Sequence, residues 1–241
     1  SVYFLRDRRY NMLQQKIANN CLMCGRCEQV CHVGINLNTL RLNSRSSMRN
    51  IPHEGRYSYL RNVDKSSGEG KVGYFAGCMT MLTPNTLNAM HTIFQAAHEE
   101  VWWADKDGGA CCGRPLMLSG ETDAARKMVE YNRALFRKHA IETLVTSCPI
   151  CLKVFREEYN LEGIEVLHHS EYILRLMRQG RLRVRYSSEQ SFTYHDPCEL
   201  GRGSGIYEEP RAVIEAIGQL LETEHNRKNA FCCGSSVANT A

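Results

Sequence analysis

The chain has 241 residues, 43% of them hydrophobic, and a formal net charge of +4. That length and apolar content suit one large domain or two small ones with a sizeable core. The mild charge, with no Lys/Arg run that could track phosphates, argues against nucleic-acid and membrane-surface binding, and no apolar stretch is long enough to span a bilayer.

Residues 1–62 are polar and rich in Arg and Asn, and they carry "CLMCGRCEQVC" at Cys21–Cys31. The spacing of Cys21, Cys24, Cys27 and Cys31, C-x2-C-x2-C-x3-C, is that of bacterial ferredoxins around a 4Fe–4S cubane. Three thiolates two residues apart each take a corner of the cube, and the fourth points away toward a partner cluster. Zinc sites instead use CxxC pairs a dozen or more residues apart. His32 stands where the ferredoxin spacing has Pro, and no second run is present. Cys31 is therefore expected to serve a cluster held by preceding chain, to stay free, or to complete a one-cluster site.

"DKSSGEGK" at 64–71 reads as a linker, after which strands and helices alternate. "VGYFA" at 72–76 predicts a strand, and Thr83-Pro84 a helix start with Thr as N-cap; Leu87, Met90, Phe94 and Ala97 follow at helical spacing. "EVWWA" at 100–104 predicts a second strand with Trp102 and Trp103 as core. A helix at 121–140, a strand at 143–147, a helix marked by Leu152, Phe155 and Tyr159, a strand at 164–167 and a helix from Ser170 to Gly180 complete the pattern. Such alternation implies βαβ units and a mostly parallel sheet.

From 191 the pattern repeats. "KVGYFAGC" at 71–78 aligns with "SFTYHDPC" at 191–198, and CCG recurs at 111–113 and 232–234, with offsets of 120 residues at the single cysteine and 121 at the pair. A helix is expected after each single cysteine, with Val213, Ile217, Leu220 and Leu221 as apolar positions in the second copy. Three aligned cysteines and matching elements indicate a duplication. The counterpart of Cys148 and Cys151 would fall at about residue 270, so the second half reads as truncated.

Twelve cysteines with CxxC and vicinal CC spacings, and no export signal, point to metal rather than disulfides. Cys78, Cys111, Cys112, Cys148 and Cys151 form C-x32-CCG-x34-C-x2-C. Cys78, Cys148 and Cys198 each follow a predicted strand, and in a parallel sheet such ends share the edge where α/β folds place their sites. Five thiolates exceed what zinc or one cubane needs, and the vicinal pair cannot aim both sulfurs at one iron without strain. An irregular cluster fits them; zinc with a spare thiol is the alternative.

"FAGC", "ACCG", "SCPIC", "HDPC" and "FCCG" together resemble the cysteine-rich CCG-domain proteins of the heterodisulfide reductase group, in the form with a ferredoxin-type part ahead of two CCG halves. The resemblance covers nearly the whole chain. It implies an α/β fold with two related parallel-sheet halves: a helical ferredoxin-like domain at 1–63, a first CCG domain at 72–190 and the start of a second at 191–241. It also implies a cubane at Cys21–Cys31 that passes electrons to a non-cubane 4Fe–4S cluster on the five cysteines, where a disulfide or similar two-electron acceptor is reduced. For Cys198, Cys232 and Cys233 it leaves a second non-cubane cluster or zinc. Relatives of this kind include iron–sulfur subunits of glycolate, lactate and glycerol-3-phosphate dehydrogenases, so a pure electron-transfer subunit is the rival reading. Partners would be other redox subunits (flavoprotein, ferredoxin-type or membrane quinone-reactive), and the location cytoplasmic, with membrane attachment through a partner.

Among other residues, His168, His169 and His195 are candidate proton donors to a leaving thiolate, with Asp196 orienting His195. Gly113 and Arg114 are candidate cofactor contacts, Arg114 as a counter-ion for an anionic substrate or cluster. "GRGSG" at 201–205 fails the dinucleotide spacing because Ile206 stands where the third Gly belongs.

Overall fold

The computed structural model describes residues 16–47, 60, 63–106, 109–185 and 189–234. The expectations for 1–15, 48–59, 61–62, 107–108, 186–188 and 235–241 lie outside these residues. Within and after the cysteine run near the N-terminus lie α1 (Arg26–Gln29) and α2 (Leu37–Ser46). Asn36 caps α2 by accepting from the Thr39 amide at 2.8 Å, which satisfies one of the free N–H groups of the first turn.

The central sheet follows. β1 (Val72–Phe75) leads through α3 (Gly77–Thr80) and α4 (Pro84–Ala96) to β2 (Val101–Trp103). After α5 (Arg114–Ser119) and α6 (Thr122–Lys138) come β3 (Thr143–Thr146), α7 (Pro149–Glu157), β4 (Glu165–His168) and α8 (His169–Arg178). The four strands are parallel in the order β2-β1-β3-β4, with Val72 beside Val101 on one side and Thr143 on the other. The chain moves outward from β1 to β2, then returns to the opposite side for β3. The carboxyl ends of β1 and β3 therefore flank a topological switch point, where open parallel sheets form their binding crevice.

Strand alternation divides the core between the two faces. Phe75 and Leu144 pack with Trp102, Phe136, Phe155 and Tyr159 on one side. Tyr74 and Val145 pack with Met90, Phe94, Tyr172 and Leu176 on the other. The first set is tightly knit: the Phe75 and Phe155 rings meet edge-on at 4.9 Å, and Phe155 and Tyr159 at 4.7 Å, the geometry aromatic quadrupoles favour.

The second half begins with β5 (Ser191–Phe192), α9 (Gly201–Ser204), α10 (Glu208–Ile217) and β6 (Gln219–Leu220), followed by a short 3-10 turn. β5 and β6 pair in parallel. Strand, cysteine, helix and parallel neighbour thus recur in the order of β1, Cys78, α4 and β2.

Four expectations are corrected. Leu220 and Leu221 are not helical, because α10 ends at Ile217 and Gly218 is extended. Tyr159 lies beyond α7, where it is fully buried. Thr83 makes no side-chain cap to α4; its hydroxyl donates to the Thr80 carbonyl instead. Part of the 64–71 linker is sheet edge: Ser67 and Trp103 exchange amide–carbonyl bonds of 2.9 and 2.8 Å, covering the outer side of β2. Gly68 permits this approach, with φ +80° and Val101 O only 2.6 Å from where a Cβ would stand.

Candidate metal centre

The five cysteines of the first half are brought to the switch point. Cys78 lies in the first turn of α3, Cys112 precedes the N-cap of α5, and Cys148 is the N-cap of α7. Three helix N-termini thus face one crevice, and their free N–H groups favour thiolate. Gly113 takes φ +88° between the CCG pair and α5, and its amide lies 3.3 Å from Cys111 Sγ. Gly77 takes φ +78°, and a Cβ there would stand 3.0 Å from Cys151 Sγ. Glycine is required at that position by both backbone and space.

Cys78, Cys112, Cys148 and Cys151 line one cavity with Met79, Arg114, Pro115, Leu118, Ile150 and Glu199. Cys111, Cys112, Cys148 and Cys151 are buried, and Cys78 is half-buried. The sulfurs meet pairwise. A hydrogen bond from Cys111 pulls Cys78 down to about 7 and pushes Cys111 up. Cys151 is pushed up by its contacts with Cys112 and Cys148, while Cys148 is pulled down by Cys151 and by the amides of α7. Among the described residues, no three His, Cys, Asp or Glu side chains are arranged to hold a metal ion.

Residues that sequence reading missed hold this arrangement. Buried Asp105 accepts from the amides of Ala76, Gly77 and Ala110 at 3.0, 2.8 and 3.2 Å, clamping the Cys78 and Cys111 loops together. Asn132 donates to Cys111 O at 2.9 Å and to the Tyr159 hydroxyl at 2.7 Å, and that hydroxyl donates to Cys112 O at 3.0 Å. Asn132 had a visible signal, a polar residue in the buried stripe Ala125, Met128, Leu135 of α6. Tyr159→Phe should lower stability by about 1–3 kcal/mol, because it leaves buried partners with unmade bonds. Urea unfolding of both chains measures the difference, and an unchanged midpoint would show that the hydroxyl carries no weight.

Cys21, Cys24, Cys27 and Cys31 are each half-buried. Arg41 Nη1 lies 3.3 Å from Cys27 Sγ, and the Met23 amide 3.4 Å from Cys21 Sγ. The amides of Ile35 and Val33 hold the Cys31 thiol below its ordinary range. In the second half Cys198 and Cys232 Sγ are 3.8 Å apart, and burial raises Cys198 to about 12. Cys233 is exposed.

The candidate proton donors lie elsewhere. His168 and His169 stand at the end of β4 and the start of α8 and do not line the cavity of Cys78, Cys112, Cys148 and Cys151. Burial lowers them to about 2 and about 4, so both rings are neutral near pH 7. His195 is exposed, and its Nε2 lies 2.9 Å from Phe231 O. Asp196 does not orient it. Its carboxylate takes two 2.8 Å bonds from Arg211 and one of 2.6 Å from the Arg227 amide. Arg114 does line the cavity, paired with Glu199 at 3.2 Å across the two halves. "GRGSG" forms α9, where Arg202 binds backbone carbonyls.

The family model of the CCG cysteine-rich domain matches residues 72–156 and 192–241. The chain belongs to this family. Both CCG segments are matched, and each contains one of the aligned cysteine sets. Among curated relatives, one subunit of the CoM/CoB fumarate reductase of Methanothermobacter marburgensis is 27% identical over 89% of this chain and 47% of its own. One subunit of the dihydromethanophenazine:CoB–CoM heterodisulfide reductase of Methanosarcina mazei is 26% identical over 90% and 61%. The EtfAB:quinone oxidoreductase of Syntrophomonas wolfei is 32% identical over 52% and 18%. The chain spans about half the length of the first two. No solved structure matches it. Among the described residues no helix is long and apolar enough to cross a membrane.

Proposed function

We propose that this CCG protein is an iron–sulfur subunit of a heterodisulfide-reductase-type oxidoreductase, and that its five-cysteine pocket serves the reduction of a disulfide or similar two-electron acceptor. The observation that carries this reading is the gathering of Cys78, Cys111, Cys112, Cys148 and Cys151 at the switch point of a parallel sheet. In chemistry, though not in a ready-made metal geometry, the donor set suits an iron–sulfur group: it is all soft sulfur, largely dry, and met by amide N–H groups and a buried arginine. When bound, such a group supplies one-electron exchange and, beside a substrate sulfur, two successive one-electron steps.

In this reading residues 1–63 act as a ferredoxin-like unit with a cubane on Cys21, Cys24, Cys27 and Cys31, residues 72–190 hold the non-cubane site, and 191–241 begin the second CCG unit. Cys198, Cys232 and Cys233 would hold a further cluster or zinc. The half-buried Cys78 and the exposed Met79 form the solvent side of the pocket, where a substrate sulfur could approach. Arg114 stands beside the thiolates in its ion pair with Glu199. Partner redox subunits, including one that could attach the complex to a membrane from the cytoplasmic side, belong to the same proposal. The electron-transfer reading, with no substrate at this pocket, draws support from the quinone oxidoreductase named above.

The chain purified without oxygen should carry iron and acid-labile sulfide in near-equal amounts, on the order of eight of each for two clusters. Metal and sulfide analysis decides; zinc without sulfide would sink the proposal.

A further inference from the structure

The three cysteine groups are joined by a closed ring of arginine contacts. Arg45, in α2, donates to Cys21 O and to Leu118 O, both at 2.9 Å, tying the N-terminal run to α5. The Arg114–Glu199 pair ties the start of α5 to the turn after Cys198. Arg202 closes the ring: its Nε donates to Cys24 O at 2.8 Å, and its Nη1 to Ala230 O at 2.7 Å and Lys228 O at 3.1 Å. Beside it, the Arg26 guanidinium lies 4.3 Å from the Phe231 ring centroid. Cys24 and Cys198 line a shared cavity with Lys153, Glu199, Arg202 and Gly203.

We propose that Arg202 is a positioning residue that couples the N-terminal cysteine run to the Cys198–Cys232 pair, so that iron held at one site raises the affinity of the other. The inference rests on the iron–sulfur reading above. Its physics is that of ordering. A ligand loop binds metal with an affinity reduced by the fraction of time it is misplaced. Arg202 grips the carbonyl of one ligand residue, Cys24, and the carbonyls of the short segment leading to another, Cys232. A planar guanidinium makes such contacts as a rigid fork. Metal that fixes Cys232 beside Cys198 fixes Ala230 and Lys228 as well, and these hold Arg202 against Cys24. Reversing the order gives the same coupling energy, as linkage requires. A merely space-filling arginine would not make the two affinities interdependent.

The test uses the full chain reconstituted with iron and sulfide without oxygen, then challenged with an iron chelator. The N-terminal site is read from the electron paramagnetic resonance of its one-electron-reduced cluster, assigned by its loss in Cys24→Ser. Arg202→Met and Cys232→Ser should each weaken iron retention at the N-terminal run by about tenfold or more, as contacts behind metal ligands do. The double variant should be no weaker than the worse single one. Unaltered retention in Arg202→Met, or effects that multiply independently in the double variant, would overturn the coupling. If Arg202→Met fails to fold by circular dichroism, Cys232→Ser alone decides: an unaffected N-terminal run overturns the proposal. A wild-type chain that takes up no iron or sulfide would instead overturn the iron–sulfur reading itself.

Discussion

Cys112→Ser should strip the five-cysteine site of iron, or change its spectrum, while the Cys21–Cys31 run keeps its own. Cys112 is buried beside Cys151, and serine nearly matches its size, so the fold should survive the change. What is lost is a soft thiolate, which iron prefers strongly to a hydroxyl. If the pocket is catalytic, disulfide turnover should vanish while an artificial donor still reduces the N-terminal site. If the protein only conducts electrons, the wild type will show no disulfide turnover, and delivery to a partner should fall in the variant. Iron content and turnover both equal to wild type would mean that Cys112 is not a ligand.

The second large effect is a loss of stability below neutral pH. Burial holds His168 near 2, with His169 adding repulsion, and burial holds His169 near 4. The unfolded chain takes up protons on both rings near pH 6.5, whereas the folded chain excludes them. Stability from these groups is therefore full above about 6.5 and falls as the pH drops toward the folded values. At pH 5 the cost is on the order of 2 kcal/mol for each ring, so the pair can remove much of a small domain's margin. Urea unfolding midpoints at pH 7 and 5 measure this loss. His168→Gln with His169→Gln should flatten the dependence, and an equally steep dependence in that variant would refute the assignment. The same burial disfavours a positive charge on either ring near neutral pH.

Local pattern made much of the first half legible. β1, β3 and α6 end within two residues of where their apolar runs and turn residues place them. The second half shows where periodicity misleads. Val213, Ile217 and Leu220 keep helical spacing across Gly218, yet Gly218 is extended and Leu220 pairs with Phe192. The glycine was the warning. Short α3, α5 and α9 left no periodic trace, since four to six residues complete too little of a helical repeat.

The cysteine groups, their spacing, the duplication and the parallel α/β architecture were legible along the chain, because ligand spacing and strand–helix alternation are written between near neighbours. Which sulfurs share a cavity, and what surrounds them, depended on how the strands pack. Strand order set β1 beside β3, and so Cys78 beside Cys148. The contacts that bind the centres together, Arg45 to Leu118, Arg114 to Glu199 and Arg202 to Cys24, span 73, 85 and 178 residues of chain. No local pattern predicts such partners, since each arginine is chosen by the carbonyl or carboxylate that folding buries beside it. The histidines followed the same logic in reverse: their order along the chain put them after a strand, and burial took away their charge.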